Sequence, residues 1–62
     1  MTKETLDRIK NENRRVYSTI QELKIQYSEG KHESVRAYLS ALRHVEFISE
    51  LEKRILYCYI TL

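Results

Sequence analysis

Apolar side chains recur through the first half of the chain at Leu6, Ile9, Val16, Ile20, Leu23 and Tyr27. With Asn13 included, the intervals become 3, 4, 3, 4, 3, 4. That is the spacing of a helical heptad seam, with Leu6, Asn13, Ile20 and Tyr27 at a and Ile9, Val16 and Leu23 at d. Thr2 is the expected cap, and Glu4 and Asp7 lie near the positive end of the helix dipole. The pattern stops at Ser28-Glu29-Gly30-Lys31, where the only glycine of the chain can take the left-handed conformation that closes a helix.

In the second half Val35, Tyr38, Leu42, Val45, Ile48, Leu51 and Ile55 recur at 3, 4, 3, 3, 3, 4. This too is a helical period, with a sideways shift of the stripe at the 3, 3 step. The run Ile55-Leu56-Tyr57-Cys58-Tyr59-Ile60 is apolar all round and β-prone, but no partner strand exists elsewhere, so the helix is expected to continue. The pattern therefore predicts an all-α antiparallel two-helix hairpin over about 2–28 and 32–60, in a single domain spanning 1–62. Helices of this length are each about 40 Å long.

In that arrangement Leu6 and Ile9 face Ile55 and Tyr59, and Leu23 and Tyr27 lie near Val35 and Tyr38. The expected core and dimer positions are Leu6, Ile9, Asn13, Val16, Ile20, Leu23, Val45, Ile48, Leu51, Ile55 and Tyr59. A lone hairpin leaves much of this stripe wet, and chains this small need a staple. One cysteine excludes an internal disulfide, and Cys58, His32 and His44 lack zinc-ligand spacing. Dimerisation of the hairpin into a four-helix bundle remains the expected solution. Asn13 within the seam is then either a buried amide that fixes register or a polar residue at a wet edge.

Charge changes the picture little. Eleven Lys and Arg stand against nine Asp and Glu in 62 residues, a net +2, too small by itself to indicate nucleic acid. Leu, Ile, Val and Phe total 17, above the level of a disordered chain. The N-terminal Met1-Thr2-Lys3-Glu4-Thr5 mixes acids with bases and leads into no apolar run, so no signal peptide is expected. No stretch approaches the ~20 apolar residues of a membrane span. The expectation is a cytoplasmic protein, in the host-cell cytoplasm if viral, with no membrane association, metal or cofactor.

No catalytic constellation is present, and the chain reads as a non-enzyme. Glu52 falls within the apolar arc, near Arg8 or Lys10 of the opposing helix, and is expected to form an inter-helix ion pair rather than serve as an acid or base. Cys58 reads as a buried small hydrophobe. The informative face is the back of the second helix. With Val45 at the centre of the buried arc, Arg36, Arg43, Phe47, Glu50 and Arg54 fall on the opposite side. An exposed aromatic among arginines has the composition of a protein-recognition hot spot; the bland alternative is a solvated face carrying a Glu50–Arg54 pair and one stray Phe. Lys3, Arg8, Lys10, Arg14 and Arg15 are interleaved with Glu4, Asp7 and Glu12, which suits a solvated face better than a phosphate track.

The hairpin with a mid-chain turn resembles the Rop family of plasmid copy-number regulators, RNA-binding four-helix-bundle dimers. The Lys3-Glu4 start, the run Ile20-Gln21-Glu22-Leu23-Lys24-Ile25 ahead of Gly30, and the Glu50-Leu51 step are similar to a family of small proteins from spindle-shaped archaeal viruses. That resemblance implies a dimeric four-helix bundle acting as an adaptor without catalysis. The functional expectation is thus a non-enzymatic, viral-type adaptor or regulator. It would form a homodimer and bind an unidentified protein partner through Arg36, Arg43, Phe47, Glu50 and Arg54. A Rop-like or transcriptional regulator binding RNA or DNA is the alternative.

Overall fold

Two short polar signals, Asn13 and Ser49, decide how this chain is divided. The computed structural model describes all residues, 1–62, and contains four helices and no strand: α1 (Thr2–Glu12), α2 (Arg14–Ser28), α3 (Glu33–His44) and α4 (Glu50–Thr61). The all-α class expected from the periodicity is present. The two long helices of the hairpin are not, because each is interrupted once.

The first interruption is Asn13. Its backbone is extended (φ −156°, ψ 96°), and its Oδ1 accepts hydrogen bonds from the Arg15 and Val16 amides at 3.1 and 3.2 Å. Asparagine is among the best N-cap residues because its short side chain satisfies amides that the new helix leaves unpaired. Asn13 is exposed and belongs to no buried seam, which corrects its assignment as a core position. Placed end to end, α1 and α2 would run about 40 Å, yet the longest dimension of the chain is 28 Å. The chain must bend here. Asn13→Ala should lower stability by about 1 kcal/mol, while Asn13→Asp keeps most of it; thermal melts of the two variants check this.

Gly30 ends α2 as the sequence suggests, with φ +91°. The Lys31 amide donates to the Gln26 carbonyl and the Gly30 amide to that of Tyr27, both at 3.0 Å, the paired bonds of a Schellman cap. The same cap recurs, without glycine, at the end of α3. There the Phe47 amide donates to the Leu42 carbonyl at 2.9 Å, and the Glu46 amide to that of Arg43 at 3.1 Å. Glu46 takes the left-handed position at φ 62°, which costs a residue with a Cβ about 1 kcal/mol. Glu46→Gly should therefore stabilise the protein by up to about 1 kcal/mol, read as a higher denaturation midpoint.

After this cap, Ser49 starts α4 with a capping box. Its Oγ accepts from the Glu52 amide at 3.1 Å, and Glu52 Oε1 accepts from the Ser49 amide at 2.9 Å.

The interruption at 45–49 resets the buried face. On α3, Val35, Leu39 and Leu42 turn inward; on α4, Leu56 and Ile60 do so. Together with Ile9, Ile20, Leu23 and the loop residue Ile48 they form one core of nine buried apolar side chains. Of the expected core, Ile9, Ile20, Leu23 and Ile48 are buried, and Leu6, Val16 and Tyr59 pack half-buried against them. Ile55 is half-buried. Val45 and Leu51 are not core: they are 69% and 54% exposed, because a continuous helix would have carried the stripe through them and the chain does not continue. α2 and α4 each touch every other helix, whereas α1 and α3 do not meet.

Candidate functional site

Phe47 was the residue that made the back of the second helix look like a binding face. It lies instead in the α3–α4 loop, half-buried against the core. The Arg8 guanidinium stands over its ring, 5.4 Å from the centroid, and Arg8 Nη2 donates to the Phe47 carbonyl at 3.1 Å. As the residue after a left-handed cap, Phe47 occupies the position whose side chain folds back onto the helix it has left. It is a packing residue, and its assignment to an exposed partner-binding face is corrected.

Arg8 also meets Glu52. Its Nε and Nη2 donate to Oε2 and Oε1 at 3.1 and 3.0 Å, and its Nη1 donates to Glu12 at 3.1 Å. The sequence foresaw an ion pair of Glu52 with Arg8 or Lys10, of which Arg8 is the partner, but not that one carboxylate would also serve the capping box. Burial acts to raise the Glu52 pKa; the Ser49 amide and the Arg8 guanidinium outweigh it and hold the carboxyl below its ordinary 4.5. For Arg8, burial acts to lower the pKa, and the bonds to Glu12 and Glu52 overcome it, so the guanidinium is held still more firmly charged. The cluster joins α1, the loop and α4. All its charges are answered within the chain, and it is structural.

Of the remaining expected site residues, Arg36, Glu50 and Arg54 come together between α3 and α4. Arg36, Leu39 and Ser40 of α3 and Glu50, Lys53, Arg54, Tyr57 and Cys58 of α4 line an open groove of about 560 Å³. Spacings of three and four put Arg36 and Ser40 on one ridge of α3, and Arg54, Tyr57 and Cys58 on one ridge of α4. Leu39 is buried and forms the floor. Arg43 stands just beyond the groove, its Nε 3.3 Å from Glu50 Oε2. That contact is close enough for an ion pair, but Arg43 Nε is left without a hydrogen bond.

Glu50 does not pair with Arg54 one turn later, as the sequence suggested. It pairs with Arg43 and, at 3.9 Å, with Lys53. None of the five ion pairs in the chain includes Arg36 or Arg54, and both are exposed. Lys53, Tyr57 and Leu39 were missed as groove residues. Their signal was present in the i, i+4 spacing of Lys53 and Tyr57, but the assumed continuous helix directed that face elsewhere. Cys58 is exposed at the groove edge rather than buried.

Tyr59 reaches α2: its hydroxyl donates to Gln21 Oε1 at 2.8 Å, and Lys24 Nζ lies 4.5 Å from its ring centroid. No group of three or more His, Cys, Asp or Glu side chains is placed to hold a metal. No helix is long and apolar enough to cross a membrane. No family model, curated protein or solved structure matches the chain.

Proposed function

We propose that this protein is a non-enzymatic adaptor that binds a segment of a partner protein in the α3–α4 groove. The observation that carries the proposal is the pair of exposed arginines, Arg36 and Arg54, without ion pairs on a groove floored by Leu39 and edged by Tyr57. Arginine and tyrosine beside apolar surface are the residues that contribute most to protein interfaces.

The expected homodimer is part of the same proposal, on altered grounds. Each chain closes a core of its own, so burial of the stripe no longer demands a second copy. Ile25, Val45, Leu51 and Leu62 are exposed apolar side chains that self-association would cover. We place the protein in the cytoplasm, where an exposed thiol such as that of Cys58 stays reduced.

A photo-crosslinking side chain at Ser40 tests the adaptor reading. It should give a protein adduct of discrete mass in cells, and Arg36→Ala with Arg54→Ala should abolish it. A nucleic-acid adduct, or a protein adduct indifferent to both substitutions, contradicts the proposal.

A further inference from the structure

We propose that the segment held in the groove is acidic, with carboxylates of two Asp or Glu side chains on Arg36 and Arg54 and one apolar side chain between them against Tyr57. The inference rests on the groove being the partner site and specifies the chemistry of its occupant.

Charge complementarity carries it. Glu50 is the single acid of the groove, and it is answered from outside by Arg43 at 3.3 Å as well as from inside by Lys53 at 3.9 Å. With Glu50 and Lys53 cancelling, the lining keeps two positive charges, both guanidinium groups with every donor free. Elsewhere in the chain an arginine that faces a carboxylate engages it, as Arg8 does with Glu52 and Glu12. A guanidinium presents a planar fork that matches a carboxylate with two parallel hydrogen bonds.

The two arginines project from different helices, on opposite sides of an apolar floor. A ligand satisfying both must span the groove and place something apolar in the middle. A peptide with acids flanking an aliphatic or aromatic residue does so. A phosphodiester backbone offers no apolar element at that point.

The test is selection of phage-displayed 16-residue peptides on the immobilised full chain, followed by fluorescence anisotropy with the selected peptides. Arg36 and Arg54 are exposed, so their substitution leaves the helices intact, and circular dichroism verifies this. The expected result is enrichment of peptides with two acids around an apolar residue. Their binding should fall about tenfold or more with Arg36→Ala and Arg54→Ala combined. Selection on the Arg36→Glu, Arg54→Glu protein should enrich basic peptides instead.

Three outcomes overturn the inference. Neutral or basic peptides that are lost when Ser40→Trp fills the groove would leave the groove as the site and refute its acidic occupant. Peptides indifferent to Ser40→Trp and to both arginine substitutions, or no enrichment at all, would refute the groove itself. A 20-nucleotide single-stranded RNA bound more tightly than any peptide, with affinity falling steeply in salt, would replace the proposal with the nucleic-acid alternative.

Discussion

Leu56→Ala should leave the chain largely unfolded at 37 °C, whereas Leu51→Ala, five residues earlier on the same helix, should change the melting temperature by no more than a few degrees. Leu56 is fully buried on α4, which contacts all three other helices. Truncating a buried leucine removes the transfer free energy of its methyl groups and leaves a cavity, together about 2–5 kcal/mol. A domain of this size has only about 3–9 kcal/mol of total stability. Leu51 is 54% exposed, where substitutions stay within about 0.5 kcal/mol. The contrast separates two registers. A continuous second helix would centre its buried face near Ile48, Leu51 and Ile55, and Leu51→Ala would then be the damaging change. Denaturant titration of the two variants reads the difference directly.

Glu52→Gln should have the second-largest effect, a loss of about 2 kcal/mol, or roughly 10 °C in a domain of this length. The carboxylate accepts the Ser49 amide and two donors of Arg8, and the amide of glutamine can present only one oxygen to them. The substitution should also change the acid response. Because the folded-state pKa of Glu52 lies below its ordinary 4.5, its contribution is fully present above that value. It is lost as pH falls through the lower, folded value. The wild-type protein should therefore lose stability more steeply below pH 4.5 than Glu52→Gln does. Parallel acid limbs for the two proteins would show that the Arg8–Glu52 contact contributes nothing to stability. A double-mutant cycle with Arg8→Ala should give a coupling of about 1 kcal/mol or more.

What could be read from residue order, and what could not, divides along physical lines. The helical class followed from periodicity, and the turn at Gly30 from the one residue that takes positive φ freely. An ion pair of Glu52 with Arg8 or Lys10 followed from a charge placed inside an apolar arc. Asn13 was misjudged because it fell on the heptad spacing: a polar residue at a seam position and a helix cap look alike when counted by interval. Ser49-Glu50-Leu51-Glu52 carries the spacing of a capping box, but the helical spacing of Ile48, Leu51 and Ile55 across it masked it. The left-handed turn at Glu46 carries no composition signal, since it is built without glycine.

That single turn displaced half the candidate site. Arg36, Glu50 and Arg54 still share a face, because α3 and α4 fold back on each other and bring them to one groove. Phe47 moved from the outer surface to the core edge, and Tyr57 is the aromatic that remains at the groove. Of the expected face, Arg36, Glu50 and Arg54 line the groove, and Arg43 and Phe47 do not.

The groove exists only because the chain turns between His44 and Glu50, so the conformation of those residues is the decisive measurement. Backbone NMR assignment, with 13Cα secondary shifts and scalar couplings, reports it residue by residue. The account predicts helical shifts for 33–44 and for 50–61, non-helical values across 45–49, and a coupling at Glu46 that reports positive φ. Uninterrupted helical shifts from 33 to 60 would contradict it, removing the turn, the groove and the binding site together.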